Sequence, residues 1–220
     1  MELATTSASA SQSTAARAAV FAASSLGAGA CIGIAAMTYL RLGGLEGCVL
    51  FAFGLMAVVF FDLRLFTGRS QFAWGRPDPA DPRALGYGAL AAMLLLNIAG
   101  CAAMTLIADS AAWAIDPSTI VMKRLNDGAL LSGLRAIPCG FIMTLAVRSA
   151  KAGTWWPLLF GVPTFILCGF PHCVADVFYY AAAPAPLIDM PARMTMVYLS
   201  TVVGNYLGCN IYRAFKTSAL

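Results

Sequence analysis

The sequence predicts an all-α integral membrane protein with six transmembrane helices, and three observations carry that prediction. Of its 220 residues 60% are hydrophobic and only 11% charged, with a mean hydropathy of +0.78. A soluble domain carries about a quarter charged residues and has no interior able to hide so much apolar surface. Charged side chains punctuate the chain and leave uncharged gaps of bilayer length, for which a helix needs roughly 20 apolar residues. Within the gaps the apolar residues run continuously instead of alternating, which excludes a membrane β-barrel.

Taken in order, residues 1–15 form a Ser/Thr/Ala-rich tail expected to be disordered; its one charge is Glu2, so the basic start of a signal peptide is missing. Residues 16–214 make up the membrane domain and 215–220 a C-terminal tail. Arg17 and Arg41 bracket the first span, Ala18 to Leu40. Glu46 opens the second, which is uncharged from Gly47 to Phe61 and continues through Asp62 to Thr67. The third lies between Arg83 and Asp109, and the fourth runs from about Gly128 to Val147 with Arg135 inside it. Lys151 and Asp176 bound the fifth, Arg193 and Arg213 the sixth.

Six spans place both termini on one side. That face collects Arg17, Arg69, Arg76, Arg83, Arg148, Lys151, Arg213 and Lys216. The opposite face holds Arg41, Lys123, Arg124 and Arg193 together with Glu46, Asp109, Asp116, Asp127 and Asp189. The excess of Lys and Arg marks the first face as cytoplasmic, in a bacterial-type inner membrane. The net charge of +4 is thus a topology signal and implies no nucleic-acid partner. Seven cysteines lie in apolar stretches without ligand spacing, which points to buried fillers and to no metal or cofactor. No nucleophile pattern, nucleotide loop or metal constellation supports an enzyme.

Spans two and five stand out because helix-interrupting residues fall in both. The second ends in the charged run Asp62 to Arg69; the fifth contains Pro157, Gly161 and Pro163, then Gly169-Phe170-Pro171-His172. Interrupted helices at matching places in two three-span halves predict an inverted repeat with its site near the midplane, although the halves show no obvious identity residue by residue. His172, the single histidine, sits in one interruption, where an ionisable side chain is costly and points to function. Its ordinary pKa near 6.5 suits it to share a proton with a weak-acid anion. Thr67 offers a hydroxyl at the other interruption, as an anion donor or as a helix cap. The spacing Gly29-x-x-x-Gly33 permits close packing, within a subunit or between subunits.

Four stretches in order resemble the formate/nitrite transporter family, whose members are small-anion channels and proton-linked carriers. Gly47 to Gly68 is similar to the family's second span with its L-F-T signature at Leu65, Phe66 and Thr67. "LRAIPCGFIMTLAV" from Leu134 to Val147 is similar to the fourth span, "GFPHCVADVFY" from Gly169 to Tyr179 to the family's G-F-E-H-S-x-A-N-M-F, and "VVGNYLGCN" from Val202 to Asn210 to the G-N-x-x-G of the sixth. The resemblance implies an aquaporin-like fold, a homopentamer with one pore per protomer, and a central pair of Thr67 and His172. It also implies apolar constrictions at Leu65, Phe66, Phe170 and Val174, and an outer-vestibule cation at Arg124 or Lys123, with Arg17 as a counterpart at the cytoplasmic mouth. Expected partners are a small weak-acid anion, protons and the lipid bilayer.

Four departures accompany the resemblance. Pro171 stands where the family has Glu, Asp176 and Gly140 where it has Asn, and Arg64 where an acidic residue precedes L-F-T. A free carboxylate near the pore would repel anions, so Asp176 is expected to pair, with Arg64 or Arg135 as partner. The expected function is a pore for small monovalent anions or their conjugate acids, of the formate, nitrite, acetate, lactate or hydrosulfide class. The alternatives are a facilitator of small neutral solutes and a non-transporting scaffold subunit of the same fold.

Overall fold

A computed structural model describes residues 2–73, 84–108 and 113–215, with side chains from Thr14 onward. Arg76, Arg83, Asp109 and Lys216, which contribute to the charge asymmetry of the two faces, lie outside the described residues. The chain is built from helices α1 (Glu2–Leu42), α2 (Gly44–Phe60), α3 (Phe66–Arg69), α4 (Tyr87–Ala103), α5 (Pro117–Lys151), α6 (Trp156–Leu167), α7 (Ala175–Ala182), α8 (Ala185–Asp189) and α9 (Pro191–Ile211). The backbone of α1 is helical over residues 2–15 of the segment expected as a tail. By length and composition, Thr14–Leu42, Tyr87–Ile107 and Pro117–Lys151 can each cross a membrane, while α2 and α6 are apolar but shorter.

The two shorter helices owe their length to the turns that end them. α2 and α6 both finish in a Schellman turn, in which a residue of positive φ lets the chain fold back on its last carbonyls. Asp62 (φ 49°) takes that position after α2 and Gly169 (φ 67°) after α6. The Leu63 N–H donates to Val58 O at 2.8 Å and the Phe170 N–H to Phe165 O at 2.9 Å, so the two turns match bond for bond. Beyond each turn come a few non-helical residues and then a new short helix, α3 or α7.

The repeat is also written in side chains. Asn97-Ile98-Ala99-Gly100-Cys101 on α4 and Asn205-Tyr206-Leu207-Gly208-Cys209 on α9 share the pattern N-x-x-G-C, which the sequence reading missed. A Cβ at Gly100 would land on the Leu26 carbonyl of α1, and one at Gly208 on the Ile137 carbonyl of α5. Conversely, a Cβ at Gly29 would meet the Asn97 carbonyl and one at Gly140 the Asn205 carbonyl. Two helix pairs, α1 with α4 and α5 with α9, thus cross backbone to backbone at equivalent points. Gly33 packs in the same way against Met104 and the Cys101 carbonyl, so the Gly29-x-x-x-Gly33 face is used within the subunit.

α5 starts earlier than the sequence suggested. Asp116 caps it, accepting from the Ser118 N–H at 2.9 Å and the Ser118 hydroxyl at 2.6 Å, and these donors hold its carboxyl below the ordinary carboxylate range. At Gly128 the helix breaks, with φ 72° and ψ 177°, a region open almost only to glycine. Residues 117–127 therefore form a separate arm bent against the rest of α5.

Gly140→Ala should lower stability by about 1–3 kcal/mol, the usual cost of forcing atoms into a packed contact. Gly88, whose Cβ position is open, should tolerate alanine without loss. Thermal unfolding of the two variants in detergent checks the difference.

Candidate functional site

Non-helical backbone inside an apolar layer leaves amides and carbonyls that only protein can satisfy. One asparagine serves each break. Asn97 accepts from the Phe66 N–H at 2.8 Å and donates to Arg64 O at 2.9 Å and to Ser25 O at 2.7 Å. Asn205 accepts from the Cys173 N–H at 2.8 Å and donates to Pro171 O at 3.0 Å and Ala136 O at 2.8 Å. Leu65 and His172 are the residues bracketed by these two sets of bonds, and are therefore equivalent in the repeat.

The adjacent cysteines bind across the halves. Cys101 Sγ donates to Val174 O and Cys209 Sγ to Thr67 O, both at 3.1 Å. Val174 is the equivalent of Thr67. Each thiol thus satisfies the break of the opposite half, and the two breaks are drawn together.

Where they meet, Thr67 Oγ1 and His172 Nε2 lie 3.0 Å apart, with the two residues 0% and 1% exposed. Thr67 is the second residue of α3, while His172 lies in the segment before α7. The Ala175 N–H donates to His172 Nδ1 at 3.1 Å. That bond fixes the tautomer of the neutral ring: Nδ1 accepts, so the proton is on Nε2 and is donated to Thr67 Oγ1. Phe165 packs on the ring with centroids 5.8 Å apart.

A cavity of about 140 Å³ reaches His172 from the side of the α5 arm, lined by Tyr39, Lys123, Arg124, Phe165, Phe170 and Asp176 among others. Leu65, Phe66 and Val174 are buried around the meeting point, and Phe170 is half-buried. Lys123 is exposed and lies 3.7 Å from Asp127; Arg17 is exposed on α1 and does not line this cavity.

Asp176 is paired, but not with the residues expected. Its partner is Arg124, with Nε donating to Oδ2 at 3.1 Å and Nη2 to Oδ1 at 3.5 Å. A third donor, Arg124 Nη1, reaches the Gly169 carbonyl at 2.7 Å. Arg135 bonds instead to Asp127 beside the Gly128 break, and the Arg64 guanidinium stacks 5.3 Å from the Phe21 ring centroid. The expectation failed because the bent arm, invisible as a helix break in the sequence, carries Arg124 inward to a position 5% exposed. Phe165, Asn97, Asn205 and the two cysteines were missed as well, and N-x-x-G-C was the signal that marks four of them.

Asn205→Ala leaves the Cys173 N–H and the Pro171 carbonyl without their partner, a cost of order 1–3 kcal/mol for each buried group. Asn97→Ala should behave alike, and a thermal melt of each variant against wild type measures the loss.

The sequence profile of the formate/nitrite transporter family matches residues 2–215. Among solved structures, a pentameric formate channel with formate bound is similar at a TM-score of 0.70 and 18% identity, over 93% of this chain and 96% of that one. An FNT family ion channel is similar at 0.69 and 20% identity, over 90% and 89%. No curated protein sequence matches. The structural likeness establishes the fold, and the profile spanning nearly the whole chain establishes the lineage: this protein belongs to the formate/nitrite transporter family, a family of membrane transporters and channels and not of enzymes.

Proposed function

We propose that the protein conducts small monovalent anions or their conjugate acids, of the formate, nitrite, acetate, lactate or hydrosulfide class, past the Thr67–His172 pair. The observation that carries this reading is the pair itself: two polar side chains in hydrogen-bond contact at 3.0 Å, buried where two broken helices meet. α2 with α3, and α6 with α7, are then interrupted spans, and the chain has six in all. The pentameric state of the similar formate channel supports a homopentamer here. Termini on the cytoplasmic side of a bacterial-type inner membrane follow from the basic residues on that face.

Burying a bare anion at this depth carries a large desolvation cost, and neutralising it removes most of that cost. The Nε2–H and the Thr67 hydroxyl supply donors that replace water around the ion. To lend its Nε2 proton the imidazole must take another at Nδ1, which displaces the Ala175 N–H. Proton handover is thereby linked to the first turn of α7, and Leu65, Phe66, Phe170 and Val174 keep water from short-circuiting the exchange. Lys123 concentrates anions at the mouth of the cavity.

A second reading, a facilitator of small neutral solutes, is favoured by the Arg124–Asp176 pair, which leaves the cavity wall nearly neutral at that point. One measurement separates the two. Uptake of labelled formate into proteoliposomes should rise as the outside pH falls from about 7.5 to about 5.5, and His172→Ala should flatten that profile. Thr67→Val should reduce flux by about tenfold, the equivalent of one hydrogen bond. Flux indifferent to pH and to His172→Ala sinks the anion reading and leaves the neutral one.

A further inference from the structure

We infer that Arg124 is a positioning residue for His172: its buried guanidinium ties together the two ends of the break that carries the ring, replacing a side-chain bridge that closes the other break directly. The inference builds on the proposed role of His172, and its ring-signal readout is independent of that role.

The repeat supplies the comparison. Asp62 and Arg69 are seven residues apart and bond side chain to side chain at 2.9 Å across the first break. Their equivalents are Gly169 and Asp176. Gly169 has no side chain to offer, so the same direct bridge cannot form. Arg124 inserts from the α5 arm and makes both connections, to the Gly169 carbonyl and to the Asp176 carboxylate. The first bridge is partly exposed, with side-chain exposures of 15% for Arg69 and 66% for Asp62; the second is buried, with 6% for Arg124 and 1% for Asp176.

The geometry around the ring shows what the second bridge holds. Asn205 grips the backbone on either side of His172, at Pro171 and Cys173. Arg124 grips one step further out, at Gly169 and at the first turn of α7. That turn supplies the Ala175 N–H which fixes the imidazole tautomer. A forked, planar donor set suits the task, because two separated acceptors must be held at once; an ammonium offers a single point charge. Arg124 thus acts on the ring through the turn, and its charge is matched by Asp176 instead of standing free at the cavity wall.

His172 is the single histidine of the chain, so histidine-selective ¹⁵N labelling gives the ring signals of this one residue in the detergent-solubilised protein. The wild type should show the Nε2–H tautomer. Arg124→Gln and Arg124→Lys should each bring in the second tautomer or broaden the ring signals by exchange. Weak-acid flux should fall with them by about tenfold to a hundredfold, as expected for a misplaced group. The triple variant Arg124→Gln, Gly169→Asp, Asp176→Arg copies the direct bridge of the first break into the second. Aspartate tolerates positive φ, as Asp62 does, and a Cβ at Gly169 meets only Lys123 Cε at 3.7 Å. This protein should regain the wild-type ring signals and flux to within about twofold of wild type.

Wild-type ring signals in either single variant overturn the inference. Should Arg124→Gln fail to fold, Arg124→Lys, which keeps the charge against Asp176, decides alone. Altered ring signals with unchanged flux sink the proposed role of His172 in transport and leave the positioning role standing.

Discussion

Everything in this structure depends on how a helix is allowed to stop where there is no water. In hydrocarbon an unpaired amide or carbonyl costs several kcal/mol, so a break is tolerated only where another part of the protein supplies partners. Asn97 and Asn205 do this with a single side chain each, since an amide both accepts and donates. From that requirement come the close crossings at Gly29, Gly100, Gly140 and Gly208: the asparagine reaches the break only if its helix lies almost in contact with the next. The Schellman turns, the crossed thiols and the buried Thr67–His172 contact are arranged around those two residues.

The polar contact at the centre is where the repeat stops being symmetric. Leu65 is the counterpart of His172 and Val174 the counterpart of Thr67, and both are buried and apolar. Each half therefore contributes one polar and one apolar residue from non-equivalent places in its break. A symmetric arrangement would give two like pairs; the observed one gives a single donor–acceptor couple set among apolar side chains. The departure from symmetry is confined to a few residues placed on a scaffold that otherwise repeats closely.

Much of this was legible in the amino-acid sequence. Uncharged gaps of bilayer length located the helices, because charge is expensive in lipid wherever it has no partner. The turns at Asp62 and Gly169 fall where the sequence shows charge, glycine and proline in otherwise apolar runs, and Thr67 and His172 lie a few residues beyond them. The pairing of Asp176 was foreseen on electrostatic grounds, but its partner was not. Arg124 is separated from Asp176 by 52 positions, and its approach depends on the backbone at Gly128, where one residue of unusual φ reorients an arm. The repeat in N-x-x-G-C escaped notice because its meaning lies in contacts with another helix, not in any periodicity of its own.

The crossed thiols make the first break depend on α9. Cys209, near the end of the chain, completes the environment of Thr67, whereas Asn97 and its break belong to the same half. Residues up to α4 hold most of the partners of the first break, yet the carbonyl of Thr67 needs Cys209 on α9, and the second break needs Asn205 on the same helix. Both breaks have their full set of partners only with α9 docked. A chain lacking that helix would keep unpartnered backbone groups in both breaks.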